Sequence, residues 1–74
     1  MRLLSELSIN DEAVIERFND LQLSLKLLEM GCTPGEKIKL IRVAPAGDPI
    51  AIEISGYTLS MRLQEASTIN VKLL

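Results

Sequence analysis

The hydrophobic residues of this chain follow a helical period between Asp20 and Gly31 and a strand-like period from Lys37 onward. Between Asp20 and Gly31 they form two adjacent stripes, each with members at i, i+4 and i+7. The first stripe comprises Leu21, Leu25 and Leu28, and the second comprises Leu23, Leu27 and Met30. Asn19-Asp20 supplies side chains that cap a helix start, and Gly31 is suited to the left-handed residue that ends it. Two stripes are wider than one core contact requires, so the helix is either nearly engulfed or has a face for a partner.

One segment before the helix and four after it have the alternation or composition of short strands. They are residues 12–18, 37–44, 50–55, 58–63 and 68–73. The apolar phase shifts between Leu40 and Ile41, which predicts a bulge or sharp bend there. Residues 44–49 form a tight turn, and residues 63–67 form a late helical turn. The pattern predicts a mainly β protein: a small closed barrel of five strands, with one short α-helix between the first two strands, in one domain spanning residues 1–74.

Composition and charge restrict which partners and which cell compartment are expected for this protein. A net charge of -2 and a pI near 5.0 argue against nucleic acid, whose phosphates require a basic face. The chain shows no signal peptide and no apolar run long enough for a membrane span, so we expect a soluble protein without direct membrane insertion. Its one cysteine excludes an internal disulfide and fits a reducing, cytoplasmic setting. With 74 residues the core is small, so association with itself or another protein is expected.

Several segments occur in an order and spacing that resembles a known family. They are Leu27-Leu28-Glu29-Met30-Gly31-Cys32-Thr33-Pro34-Gly35, then residues 44–50, then Gly56-Tyr57-Thr58-Leu59-Ser60-Met61-Arg62 with Glu65-Ala66. This pattern resembles the ferrous iron transport protein A (FeoA) family. The resemblance implies an SH3-like barrel that serves the bacterial ferrous iron permease, with a related domain in some iron-dependent repressors. The chain departs from the family in having Asn10-Asp11 where Gly is frequent, and Lys26 where Arg is frequent.

The candidate partner-binding residues lie on the helix and on the last strand of the hairpin. They are Leu21, Leu23, Leu25, Lys26 and Arg62. We expect Leu21 and Leu23 to be the most exposed, because they are farthest from the tight Gly31 turn. Arg62 occupies the family position Leu-x-x-Arg-x-x-Glu-Ala, where it either contacts acidic groups of a partner or pairs with Glu65 or loop carbonyls.

Other reactive or charged residues are better explained as structural. Cys32 follows the helix cap and has no second Cys and no His for a metal site, so we expect it to be a small buried side chain. Asp48 and Glu53 lack the spacing of a calcium or magnesium loop, and Asp48 is expected to be a turn residue. A basic strand edge that opposes aggregation is predicted from Lys37, Lys39 and Arg42.

No catalytic apparatus is predicted, because the chain has no His for a nucleophile–base pair and no glycine-rich phosphate loop. Three functions stay open. The first is a non-catalytic cytoplasmic accessory protein that docks on the cytoplasmic GTPase region of the ferrous iron transporter and modulates uptake. The second is a metal-responsive module related to the repressor domains, in which ferrous iron associates weakly without any dedicated cofactor. The third is a generic adaptor between proteins.

Overall fold

The computed structural model describes residues 2–74, which form an antiparallel sheet of six strands and two short helices. The elements are β1 (Arg2–Leu3), a 3-10 turn (Leu4–Glu6), β2 (Glu12–Phe18), α1 (Leu21–Glu29), β3 (Lys37–Val43), β4 (Ile50–Ile54), β5 (Tyr57–Met61), α2 (Leu63–Ala66) and β6 (Ile69–Leu73). The strand order is β1-β6-β2-β3-β4-β5. The five predicted strands and the late helical turn are confirmed. The sixth strand, β1, was not predicted because two residues are too few to show an alternation.

The core is formed by the inward residues of the sheet and closed by one leucine from the 3-10 turn and one from α1. In β4, Ile50, Ile52 and Ile54 are all at most 4% exposed, as their strict alternation predicted. Leu4 from the 3-10 turn and Leu27 from α1 are fully buried against the same cluster. Burial of an aliphatic side chain of this size stabilises the fold by about 1.5–3 kcal/mol, so these branched residues dominate its stability.

Two irregularities let this short sheet curve around its core. The pairing of β3 with β4 shifts register between Leu40 and Arg42, where the change of apolar phase predicted a bulge. A second shift lies in β2, between Ile15 and Arg17, opposite β6. A bulge bends its strand and raises the local twist, which a small barrel of short strands needs. The predicted bend near Leu40 is therefore confirmed.

The basic residues of β3 do not form a sheet edge, so that prediction is wrong. Lys37 and Lys39 pair with Val14 and Glu12 of β2 on one side, while the other side of β3 pairs with β4. The strand that follows α1 returns beside the strand that precedes it, and a linear pattern does not reveal this pairing. Lys37 Nζ lies 3.4 Å from Glu12 Oε1, an exposed pair across the two strands.

Helix α1 is fixed at both ends by the residues that the sequence indicated. Asp20 Oδ1 accepts hydrogen bonds from the amides of Gln22 and Leu23 at 2.9 and 3.1 Å. At the other end Gly31 has φ +101°, and its amide donates to the Leu28 carbonyl. The Cys32 amide donates to the Leu27 carbonyl at 2.9 Å, which completes a Schellman motif. This geometry fixes which stripe of α1 faces the core.

Candidate functional site

One face of α1 exposes three leucines to solvent. Leu21 is 88% exposed, Leu25 70% and Leu28 42%, and we call this set the leucine face. The three side chains lie one turn apart at i, i+4 and i+7, so they form one continuous apolar surface. Solvent exposure of so much leucine on one helix is typical of a surface that meets another molecule.

The second stripe of α1 anchors the helix. Leu27 is fully buried, and Leu23 and Met30 are partly buried against the core. The expectation that Leu23 is among the most exposed residues is therefore wrong, while the same expectation for Leu21 is confirmed. Distance from the Gly31 turn does not set exposure, because a helix rotates each successive side chain by about 100°. Leu28, which was not among the candidate residues, belongs to the exposed stripe and could have been found from its spacing.

Lys26, Glu65 and Arg62 form a charged cluster between the two helices. Lys26 Nζ contacts Glu65 Oε2 at 2.5 Å, and Glu65 Oε1 accepts a hydrogen bond from the Arg62 backbone amide at 3.0 Å. The Lys26 hydrogen bond and the Arg62 amide hold the pKa of the Glu65 carboxyl below its usual value. Glu65 is 7% exposed and the Lys26 side chain 61% exposed, so a nearly buried carboxylate is held by a solvated ammonium. The salt bridge of Glu65 is thus made with Lys26.

A cleft of about 400 Å3 lies beside this cluster. It is lined by Lys26, Met30, Pro49, Ser60, Met61, Arg62 and Glu65. The cleft therefore lies between α1, the end of β5 and the turn before β4. Of the five predicted candidates, Lys26 and Arg62 are brought together here, while Leu21 and Leu25 lie on the leucine face and Leu23 packs against the core.

The remaining candidate residues occupy structural positions. Cys32 is fully buried, and burial together with the nearby Glu65 charge raises the pKa of its thiol to about 11. Asp48 is a turn residue whose Oδ1 accepts the Leu63 amide at 3.0 Å, at the start of α2. Glu53 is exposed on β4. Across residues 2–74, no three or more His, Cys, Asp or Glu side chains come together as metal ligands.

The profile of the FeoA domain family matches residues 2–73. The chain belongs to the FeoA domain family. It is 39% identical over 72 residues to an Fe(2+) transport protein A/Fe(2+) transporter FeoB fusion protein of Porphyromonas gingivalis. That alignment covers 96% of this chain, which spans only 8% of the length of the fusion protein. In that relative, the FeoA part and the transporter are joined in one polypeptide.

Solved structures of FeoA proteins share the fold. An FeoA-like protein from Clostridium acetobutylicum superimposes with a TM-score of 0.92 at 34% identity, covering 97% of this chain and 85% of that one. FeoA of Stenotrophomonas maltophilia, solved in complex with zinc and described as a prokaryotic SH3 domain protein, gives a TM-score of 0.83 at 27% identity, covering 97% and 91%. A manganese-dependent transcriptional repressor has the same fold over 36% of its length, at 21% identity and a TM-score of 0.90.

Membership of the FeoA family connects this chain with ferrous iron transport and confirms the SH3-like barrel. The backbone explains how the first turn accepts Asn10. Asn10 has φ +76°, a conformation in which Gly is unstrained and Asn is the best tolerated substitute. No helix formed by residues 2–74 is long and apolar enough to cross a membrane.

Proposed function

We propose that this FeoA-family chain is a non-catalytic cytoplasmic accessory protein of ferrous iron uptake. It docks on the cytoplasmic GTPase region of the ferrous iron transporter through the leucine face and modulates transport. The observation that carries the proposal is the exposure of Leu21, Leu25 and Leu28 on one side of α1. Folding leaves these three leucines in contact with water, so burying them against a partner would be favourable through the hydrophobic effect.

The fusion protein of Porphyromonas gingivalis supports the choice of partner. Joining two domains in one chain raises their effective concentration and favours contacts that are weak between separate proteins. Arg62, which lines the cleft, supplies a cation for an acidic group of the transporter, and the solvated ammonium of Lys26 on α1, which also holds Glu65, supplies a second. Such rim charges mainly set the rate of association and its dependence on salt.

The test measures binding of purified chain to the cytoplasmic region of the transporter by biolayer interferometry. We expect Leu21→Asp and Leu25→Glu each to weaken binding by about tenfold or more, since each removes a leucine that the complex would bury and adds a charge to an apolar contact. Gln22→Glu is the matched control, because it adds the same charge to the same helix on an exposed residue outside the leucine face. Far-UV circular dichroism shows that each variant is folded.

One result would count against docking through the helix, and another against the transporter as partner. If folded Leu21→Asp and Leu25→Glu bind like the parent, the leucine face is not the contact. If the unmodified chain does not bind the transporter region at all, the generic adaptor function replaces the transporter partner.

Weak divalent metal association is a second candidate, favoured by the zinc complex of the Stenotrophomonas maltophilia relative. This chain contains no His, and its only Cys is buried, so carboxylates would have to supply the ligands. Anaerobic calorimetric titration with ferrous iron, and in parallel with zinc, tests this function. Stoichiometric heat at micromolar metal would support a metal-responsive module, and no heat would remove it.

A further inference from the structure

Strand β5 is an edge of the sheet that carries none of the features that usually protect an edge. It is the last strand in the order, and all five of its residues pair with β4 on one side only. Its sequence, Tyr57-Thr58-Leu59-Ser60-Met61, contains no charge and no proline, and its ladder is regular. Natural edges are usually blunted by lysine, proline or a bulge, because an open edge pairs with other chains.

The outward backbone groups of β5 can be assigned from the hairpin that precedes it. Ser55 and Gly56 have φ +50° and +81°, so they form a two-residue turn of type I′. Ile54 and Tyr57 therefore exchange backbone hydrogen bonds, and every second residue of β5 does the same with β4. The amides and carbonyls of Thr58 and Ser60 point away from β4. Within residues 2–74 they make no hydrogen bond, and both residues are exposed.

The free end of this edge opens on the cleft between α1 and β5. Ser60 lines the cleft, and Met30, Met61 and Pro49 give it an apolar wall. An extended segment that pairs with Thr58 and Ser60 would direct alternate side chains to one face, so an apolar side chain of that segment can enter the cleft.

The charged residues around the cleft indicate which charge the bound segment should carry. Glu65 is neutralised by Lys26, whereas Arg62 forms no salt bridge within the described part of the chain. The cleft therefore has an excess positive charge at Arg62, which suits a carboxylate. A second copy of β5 would bring no acidic residue, because residues 57–61 contain none.

We propose that β5 binds an extended acidic-apolar peptide segment of another protein as a seventh strand. Its backbone pairs with Thr58 and Ser60, an apolar side chain enters the cleft, and an Asp or Glu two residues away, on the same face of the segment, meets Arg62. Main-chain pairing provides the affinity and the cleft provides the specificity. The edge of β5 is separate from the leucine face, and peptide binding there does not require docking to the transporter, although Arg62 is shared with the charges proposed to meet the transporter.

The probe is a short fluorescein-labelled peptide of alternating valine and threonine, with a central leucine and a glutamate two residues after it so that both side chains lie on one face. Addition of this peptide to 15N-labelled protein should shift the amide signals of Thr58 and Ser60 and slow their hydrogen exchange. A peptide N-methylated on the amides that face β5 should bind about tenfold more weakly, while methylation of the alternate amides should have little effect. A peptide with lysine in place of glutamate should bind about threefold more weakly.

Variants of the protein test each component. Ser60→Pro removes the outward amide without removing a bond to β4, and it should abolish the shifts at Thr58. Arg62→Glu should reverse the preference between the acidic and basic peptides. Arg42→Glu, an equal change of charge at an exposed residue outside the cleft, should leave the preference unchanged. If Ser60→Pro does not fold, the N-methylated peptides report on the same backbone pairing.

Three outcomes would overturn the proposal. The first is an absence of shifts at Thr58 and Ser60 at millimolar peptide. The second is a set of shifts confined to α1. The third is protection of both amides without peptide, together with a dimer in sedimentation velocity, which would make a second copy the occupant.

Discussion

Substitution of Gly31 by alanine is expected to destabilise the fold through two separable effects. Gly31 has φ +101°, which L-residues adopt at a cost of about 1–2 kcal/mol. A Cβ at this residue would also lie 2.0 Å from the Tyr57 hydroxyl oxygen. That hydroxyl donates to the Met30 carbonyl at 3.0 Å, so moving it away loses a hydrogen bond worth about 0.5–1.5 kcal/mol. We therefore expect Gly31→Ala to lower the free energy of unfolding by about 1.5–3.5 kcal/mol.

A second glycine of the chain isolates the backbone effect. Gly35 has φ +96°, close to that of Gly31, but a Cβ there would have no atom within 4 Å. The effect of Gly35→Ala on the free energy of unfolding therefore comes from conformational strain and from the reduced entropy of the unfolded chain. It includes no contact with Tyr57. The difference between the two alanine variants measures the contact alone, and it should be about 0.5–1.5 kcal/mol.

The role of the hydroxyl is tested by a double-mutant cycle. With Tyr57→Phe the nearest remaining ring atom lies 3.4 Å from the added Cβ, an ordinary contact. Gly31→Ala combined with Tyr57→Phe should therefore destabilise by about 1 kcal/mol less than the sum of the two single changes. Urea unfolding followed by far-UV circular dichroism gives all four free energies. Strict additivity, or equal losses for Gly31→Ala and Gly35→Ala, would refute the contact as a cause.

Two further predictions concern titratable groups in the interior. Because the Lys26 hydrogen bond lowers the pKa of Glu65 in the folded state, the folded chain binds this proton less readily than the unfolded chain, whose carboxyl titrates near 4.5. The resulting stability is present above about pH 4.5 and is lost at lower pH, so the melting temperature of Glu65→Gln should fall below that of the parent at pH 7 and approach it at acid pH. A difference that is constant with pH would contradict this. Burial raises the pKa of Cys32 from 9.0 to about 11, so thiol-specific reagents should react with native protein about a hundredfold more slowly than with urea-unfolded protein, and equal rates would contradict the burial.

Local features of this fold could be predicted from the sequence because each depends on neighbouring residues. The helix cap at Asp20 and the left-handed Gly31 follow from hydrogen-bonding needs at helix ends. The bulge after Leu40 follows from a change of apolar phase within one strand. In each case the residues that cause the feature also lie beside it in the chain, so no knowledge of tertiary pairing is needed.

Features that depend on pairing between distant segments could not be predicted. The basic residues of β3 were assigned to an edge, although β2 and β4 flank that strand. Glu65 was considered as a partner for Arg62, its near neighbour in sequence, whereas its ion pair is with Lys26 of α1. The cleft likewise exists only because α1 packs beside the end of β5. Spacing gave the two stripes of α1, but only the packed fold distinguishes the buried stripe from the exposed one.

The leucine face is not explained by the stability of α1 itself. Leucine is a good helix former, but lysine, glutamine and glutamate are nearly as good and would also avoid an apolar surface. Leu21 occupies the first turn, where intrinsic propensity contributes least, and at 88% exposure it gains almost nothing from burial. Substitution of Leu21 or Leu25 by an acidic residue should therefore change the free energy of unfolding by no more than about 0.5 kcal/mol. Because folding is nearly indifferent to these side chains, a loss of transporter binding in the same variants can be attributed to the surface they form.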